Sequence, residues 1–453
     1  MSYTDFISTR VQFDNDSGFD PGEMPAYLFD FQAFLVEWAI RKGRAAIFAD
    51  CGMGKTAMQL AWADLVVQRT NKPVLLLTPL AVGMQTIKEA EKFGVEAVRT
   101  RNGHVPDRPC VVITNYEQLP KFDPSDFSGC VCDESSAIKD FKSQRKGMVV
   151  EFMRRLPYRL LCTATAAPND YWELGTSSEA LGYLGFRDMI TTFFKMETAK
   201  DHHGWGRTKY RFRGHAERPF WSWVCSWAKC VRTPEDIGFD GSRFVLPKLN
   251  EREHVVQSSK LRDGMLFALP AASLQEQRQE RRITIDERCD HAKSIIGSHD
   301  GPSVLWCELN DEADQAVRVV DGAQQVKGSM TDDEKESVLQ AFVDGEVKVL
   351  VTKPKIGCWG LNWQHCSNVV MFPSHSFEQY YQAVRRCWRF GQEKPVDVHL
   401  IVSEGEEGVL RNLHRKMMQA ESMYNSLRDH MNDPAALLKV DDFPNKELVP
   451  AWL

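Results

Sequence analysis

Three groups of residues in this chain have the types and spacing needed to handle a nucleoside polyphosphate. The first is Ala49-Asp50-Cys51-Gly52-Met53-Gly54-Lys55-Thr56, with a short apolar strand, Ala45 to Phe48, before it and a helical pattern from Ala57 to about Gln68 after it. In that setting Gly52 and Gly54 let backbone N–H groups turn toward phosphate oxygens, and the helix N-terminus adds the positive end of its dipole. Lys55 would reach the β- and γ-phosphates of ATP, and the Thr56 hydroxyl would go to Mg2+. The strict loop pattern has Gly at position 49, where this chain has Ala. The second group is Asp133-Glu134, at the end of the apolar run Gly129–Cys132. A carboxylate there can hold Mg2+ through water, and its neighbour can take the proton of an attacking water. Thr163 and Thr165 follow the next apolar run, and their hydroxyls could hydrogen-bond the acidic pair. The third group is Gln382, Arg386 and Arg389, which fall at i, i+4 and i+7 and would share one helix face. Arginines there could neutralise charge building on a γ-phosphate, making hydrolysis depend on closure of two domains. Arg385 lies off that face and suits a structural or DNA-facing role.

These groups must be positioned by a repeating α/β pattern. Leu28 to Ile40 is apolar-periodic and carries Phe31-Gln32 ahead of the glycine loop. Short apolar strands recur at Val74–Thr78, Val111–Thr114, Gly129–Cys132 and Arg159–Thr163, with helical patterns between most of them, which predicts a parallel sheet. After Gly185 the rhythm breaks, and residues 186–250 are rich in aromatic and basic groups. Glu276 to about Ile296 reads as a charged helical region. A second set of strands follows at Val304–Cys307, Val347–Thr352, Asn368–Phe372 and Val396–Val402. Thr331 with Glu334 and Ser376 with Gln379 fit capping boxes, the second opening a helix that runs to about Arg389. The pattern predicts a lead-in over 1–27, α/β domains over 28–185 and 275–415, a basic insertion over 186–274, and a helical tail over 416–453.

Composition bounds the function classes. The 453 residues are too many for one core, and 43% hydrophobic with 26% charged residues is the balance of a soluble globular protein. No apolar run approaches the length of a bilayer span, and the first residues lack a signal peptide's apolar core, which points to the cytoplasm. The twelve cysteines are scattered without paired CxxC knuckles and read as reduced, buried thiols. Cys225, Cys230, His202, His203 and His215 lack the partners of a metal site. A net charge of −6 argues against a protein that coats nucleic acid nonspecifically, so any such contact needs a local basic surface. Residues 187–232 supply one, with ten Lys/Arg against four Asp/Glu, a balance of +6. Within it Arg207, Lys209, Arg211 and Arg213 alternate with Thr208, Tyr210 and Phe212. On a strand, all four cations would lie on one face, spaced to follow a phosphate backbone or to guard an exposed edge. Trp221, Trp223 and Trp227 read as a small core.

Taken together these motifs resemble superfamily 2 helicases of the Swi/Snf branch, in a compact phage or prophage form. The resemblance covers about 28–186 and 275–415. Phe31-Gln32 looks like the adenine-reading glutamine motif, and Ala at position 49 is usual in that superfamily's phosphate loop. Thr78-Pro79-Leu80 and Thr114-Asn115-Tyr116-Glu117 look like strand-tracking motifs, which makes Thr78 and Asn115 candidate nucleic-acid contacts. Asp133-Glu134-Ser135-Ser136 is a DExx box, and Gly357 to Trp363, with Gly360, resembles the branch's glycine-rich motif. Gln382 to Gln392 is similar to its QAxxRxxRxGQ signature. The family implies two RecA-like domains flanking an ATP cleft, with Gln32, Gly52, Met53, Gly54, Lys55, Thr56 and Gly360 around the nucleotide. It implies Mg2+ on Thr56 and Asp133, and hydrolysis by Lys55, Asp133, Glu134, Gln382, Arg386 and Arg389. The expected activity is ATP-driven translocation on DNA, duplex or branched, with replication or recombination proteins as possible partners. The alternative is a DNA-stimulated clamp or recruitment ATPase without processive movement. The intact motif residues disfavour a decayed motor, and the 382–392 signature disfavours an RNA helicase.

Overall fold

The computed structural model describes residues 17–168, 170–200, 206–258, 273–357 and 362–431. The chain forms two compact units, one running to Gly241 and resumed from Gln419, the other Ser242–Met418.

The first unit is built from α1 (Asp30–Lys42), β1 (Arg44–Ala49), α2 (Lys55–Thr70), β2 (Val74–Thr78), α3 (Gly83–Phe93), β3 (Ala97–Arg99), β4 (Val111–Asn115), β5 (Gly129–Asp133), α4 (Gln144–Met153) and β6 (Tyr158–Cys162). It continues with α5 (Leu174–Leu181), α6 (Phe186–Phe193), β7 (Phe194–Lys200), β8 (Gly206–Phe212), α7 (Glu217–Trp227) and β9 (Ala228–Val231). Its sheet runs β3-β4-β2-β5-β6-β1-β9, with every neighbouring pair parallel. Strands β2, β4 and β5 bury every residue, as sheets covered by helices on both faces require, and this is why they read as unbroken apolar runs. Because β5 and β1 both flank β6 in parallel, the loop after β1 and the acidic pair ending β5 emerge at the same sheet edge.

The segment 186–274 is not one insertion. β9 pairs with β1 and closes the first sheet, so the first unit continues well past Gly185. β7 and β8 form an antiparallel hairpin whose Tyr210 and Phe212 pack on Tyr171, Trp172, Phe194 and Phe220. Trp221, Trp223 and Trp227 are buried in this aromatic core. The βα rhythm is hidden there because β9 has four residues and its partner β1 lies far back in the chain. The described cysteines are free thiols, all buried except half-buried Cys225. Among the described residues no helix is long and apolar enough to cross a membrane.

The second unit holds β10 (Leu249–Val256), α8 (Leu274–Ile283), α9 (Ile285–Gly297), β11 (Ser303–Trp306), α10 (Asn310–Val319), β12 (Ala323–Gln325), α11 (Asp332–Val343), β13 (Val349–Thr352), α12 (Pro354–Gly357), β14 (Asn368–Met371), α13 (Phe377–Cys387) and β15 (Val396–Ser403), followed by α14 (Glu407–Met431). Its sheet order is β10-β15-β14-β11-β13-β12, again parallel throughout. The fold is therefore α/β with two RecA-like parallel-sheet units. Strand β10, inside the expected insertion, belongs to this second sheet. The expected charged helix is two, because the chain breaks at Thr284 between α8 and α9. Thr331 closes its capping box, with Thr331 N–H donating to Glu334 at 2.7 Å and Glu334 N–H donating to Thr331 at 3.3 Å. At Ser376 only half of the box forms. Gln379 N–H donates to Ser376 Oγ at 3.3 Å, while the Gln379 amide oxygen accepts from Ser374 instead.

This unit buries a cluster of four interacting charges. Arg288 donates to Glu312 at 2.7 Å and lies 3.9 Å from Glu406, while Arg281 donates to Glu406 at 2.5 Å. Glu312 also accepts from the N–H groups of Glu308 and Leu309, each at 2.9 Å. Burial opposes its charge, but Arg288 and Arg281 outweigh burial and hold the carboxyl below its ordinary value. A second polar line joins α9, β10 and β15, with His291 to His254 at 3.0 Å and His254 to His399 at 2.9 Å. Burial, then His254 and Arg252, push His399 down to about 4, against the opposite pull of Asp397. His254 is lowered by burial, His291 and Arg252.

Two outcomes follow from these groups. Glu312→Gln leaves the Arg288 guanidinium buried with less compensation and should cost about 3–5 kcal/mol, read as a lower urea midpoint; an unchanged midpoint would mean the network contributes nothing. The unfolded chain protonates its histidines near pH 6.5, whereas folded His399 and His254 resist protonation. The unfolded state then binds more protons, so stability present above that pH should fall as pH drops from about 6.5 toward 4. Calorimetry across that window should show a falling Tm, with a shallower slope in His399→Gln.

Candidate active site

The site in the first unit begins where β1 ends. Gly52 and Gly54 sit at φ 91° and 74°, backbone that a side chain would strain, and they turn the loop back toward the start of α2. Gln32 on α1 is buried and donates its amide to Met53 O at 2.9 Å, while its own oxygen accepts from Phe29 N–H at 3.1 Å. A Cβ at Gly54 would lie 2.3 Å from the Gln32 amide nitrogen, so glycine there also leaves room for the glutamine. Lys55 Nζ donates to Ala49 O at 3.0 Å and Asp50 O at 3.3 Å, folding back over its own loop. Thr56 is half-buried on the first turn of α2.

The acidic pair is almost enclosed, Asp133 and Glu134 each being 8% exposed. Asp133 Oδ1 accepts from the Gln59 amide at 2.7 Å, and its backbone carbonyl accepts from Tyr116 OH at 2.6 Å. Glu134 stands in the left-handed region at φ 50°, where a non-glycine residue needs a reason to stay. Thr163, just past β6, donates to Glu134 Oε2 at 3.1 Å. Of the two threonines expected to meet the pair, only Thr163 does so. The Thr165 backbone N–H donates to Thr163 Oγ at 3.0 Å, and the Thr165 hydroxyl is buried without a partner, as are those of Ser135 and Ser136. Burial and the neighbouring Asp133 push the Cys162 thiol up, so it stays protonated.

Gln59 and Tyr116 escaped the reading of the sequence as chemistry. Gln59 had a usable signal, since it lies four residues after Lys55 on one helix and so shares its face. Tyr116 stands inside a motif expected to track a strand, and nothing in its spacing announces a hydroxyl on Asp133.

Two of the candidate nucleic-acid contacts, Thr78 and Asn115, are register partners at the ends of β2 and β4. Thr78 is 1% exposed at the end of β2, and Asn115 is buried, its side-chain oxygen accepting from Gln118 N–H at 3.1 Å as a cap. Neither offers its side chain to solvent. Arg207, Lys209 and Arg211 alternate along β8, and Arg213 follows just beyond. The Arg207 and Lys209 side chains lie outside the described residues, as do His202 and His203. Exposed Arg211 pairs with Glu197 at 3.0 Å, and Arg213 donates to Phe194 O at 3.0 Å. The aromatic side of the hairpin packs inward, and its basic side is partly neutralised.

In the second unit α13 ends at Cys387, short of the expected Arg389. Trp388 leaves the helix at ψ 84°, its indole N–H donating to Pro247 O at 2.6 Å. Gln382 and Arg386 therefore share a helix face, but Arg389 belongs to the turn beyond and donates to Asn362. Gln382 and Arg386 are buried, and the Gln382 amide nitrogen has no partner. Arg385 is 7% exposed and lies 4.4 Å over the Trp388 ring, a packing that suits a structural role. Burial, then Arg389, push it down to about 9. Gln392 is structural as well, donating to Cys366 O at 3.0 Å and Cys387 O at 3.2 Å. Gly360 lies outside the described residues, with Cys358, Trp359 and Leu361.

The first-unit residues fit a nucleotide with a divalent cation. The loop turns through two positive-φ glycines, the lysine ammonium is held only by backbone carbonyls in the contacts above, and three buried hydroxyls beside the acids lack partners. Among the described residues no group of three or more His, Cys, Asp and Glu could hold a metal alone. Mg2+ is usually bound by one or two carboxylates together with substrate phosphates.

The helicase conserved C-terminal domain matches residues 288–391. The bifunctional helicase and thymine dioxygenase JBP2 of Leishmania major is 31% identical over 129 residues, 26% of this chain and 12% of that protein. The chain thus spans about an eighth of the length of that relative. The putative protein p41 of Acyrthosiphon pisum secondary endosymbiont phage 1 is 23% identical over 438 residues, covering 83% of this chain and 92% of that one. Among solved structures, the Sulfolobus solfataricus SWI2/SNF2 ATPase core in complex with dsDNA aligns over 93% of this chain and 98% of that chain, at 15% identity and a TM-score of 0.41. The matched span 288–391 holds nearly all of the Gln382–Gln392 signature, and the glycine loop and DExx box precede it in the first unit. Over residues 288–391 the second unit is thus similar to the helicase conserved C-terminal domain.

Proposed function

We propose that the chain is an ATP hydrolase that couples hydrolysis to movement along DNA, most simply duplex DNA. The observation that carries this reading is the arrival of the Lys55 loop and the buried Asp133-Glu134 pair at one sheet edge, with Thr163 from the strand between them hydrogen-bonded to Glu134 at 3.1 Å. Lys55 and the loop N–H groups bind the phosphates, and Gln32, tied to Met53, reads the base while holding the loop. Thr56 and Asp133 would hold Mg2+, which when bound neutralises charge on the phosphate oxygens. Glu134, kept out of bulk water and oriented by Thr163, takes the proton of the attacking water. In this proposal Gln382, Arg386 and Arg389 are the second unit's candidate residues for hydrolysis. Exposed Arg211 and Arg213 are candidates for the DNA backbone, and their partial pairing supports a weak, salt-sensitive contact.

The reading is tested by ATP hydrolysis without nucleic acid and with duplex DNA, single-stranded DNA or RNA, varying length at constant nucleotide concentration. The expected outcome is duplex stimulation that rises with length, and a fall in kcat of about 100-fold or more in Glu134→Gln. Equal stimulation at every length would replace the translocase with a DNA-stimulated clamp. Absence of stimulation by any nucleic acid would reject the motor.

A further inference from the structure

Gln59 is 1% exposed, in the second turn of α2, and its amide donates to Asp133 Oδ1 at 2.7 Å. Helix α2 begins at the glycine loop, so Lys55, Thr56 and Gln59 are carried by one rigid element. Thr56 and Gln59 are three residues apart and lie on neighbouring positions of one face. A carboxylate at a strand end is free to rotate about its last bond unless something fixes one oxygen. A neutral amide does so without bringing a positive charge that would compete with a cation. Tyr116 OH, just after β4, donates to the Asp133 carbonyl at 2.6 Å and fixes the backbone of the same residue.

We infer that Gln59 is a positioning residue for the divalent cation that accompanies the nucleotide. It sets the orientation of the Asp133 carboxylate and ties it to the helix that carries Thr56. This rests on the proposed role of Asp133. It adds a residue that touches neither nucleotide nor metal, and makes cation affinity depend on the register between α2 and β5. Groups that orient a metal-binding carboxylate typically change metal affinity by about 10- to 100-fold when removed.

The test uses the full-length protein, Mn2+ as the probe and a non-hydrolysable ATP analogue. Mn2+ binding is followed by electron paramagnetic resonance, and analogue binding without metal by fluorescence. Gln59→Met keeps side-chain length and removes the donor. It should weaken Mn2+ affinity about 10-fold, while metal-free analogue affinity stays at the wild-type value. Wild-type Mn2+ affinity in Gln59→Met would overturn the inference, as would an equal loss of metal-free analogue binding, which marks a merely structural residue. Asp133→Asn separates this from the reading beneath it. If Asp133→Asn leaves Mn2+ affinity unchanged, the role of Asp133 itself fails; if Asp133→Asn weakens Mn2+ binding and Gln59→Met does not, only Gln59 fails. Should Gln59→Met not fold, Gln59→Asn retracts the same amide by one methylene and is judged by the same two affinities.

Discussion

Much in the first unit depends on keeping two adjacent carboxylates, each 8% exposed, almost out of water. A buried carboxylate is costly unless hydrogen bonds satisfy it, and here each acid receives a neutral donor, Gln59 for Asp133 and Thr163 for Glu134. Neutral donors stabilise the ionised form while leaving its charge for a cation or a proton. The donors come from α2 and from the end of β6, so the parallel order β5-β6-β1 and the packing of α2 set the geometry of the acids. The left-handed backbone of Glu134 fits this picture, since surrounding structure must over-determine a conformation that the residue alone would avoid.

The second unit pairs four of its buried charges with one another. Arg281, Arg288, Glu312 and Glu406 neutralise one another, so that cluster is closed and its role is to hold α8, α9, α10 and the segment after β15 together. At the first-unit edge the count is left open, with the Ser135, Ser136 and Thr165 hydroxyls buried and unpartnered beside the acids. Buried polar groups are seldom left so. The contrast separates a cluster that serves the fold from one that has capacity for something else.

The strands that bury both faces were readable as apolar runs, and the loop from Ala49 to Thr56 was readable because glycine and lysine types are tied to a turn and a charge. β9 and β10 were not, because their partners are distant in sequence and local alternation carries no record of long-range pairing. The face shared by Gln382 and Arg386 was visible in the spacing. The exit of the chain at Trp388 was not, since it depends on an indole hydrogen bond to Pro247. Gln59 was present at a meaningful spacing from Lys55, yet a lone glutamine on a helix carries no signal until a carboxylate is found beside it. The basic alternation along β8 was visible, but its pairing with Glu197 depends on hairpin register.

Residues of α14 from Gln419 onward belong to the first unit. There Tyr424 donates to Asp236, Arg232 lies 3.8 Å over the Tyr424 ring, and Leu427 and Met431 are buried in the core. The first unit is therefore discontinuous in sequence, with the whole second unit inserted into it. During synthesis, which proceeds from the N-terminus and lets domains fold as they emerge, the second unit is complete before the first has all of its core. The unit that carries Lys55 and Asp133 is thus the last to be finished. A ribosome that stops short of Gln419 releases a chain whose Lys55 and Asp133 are present but whose supporting core is not.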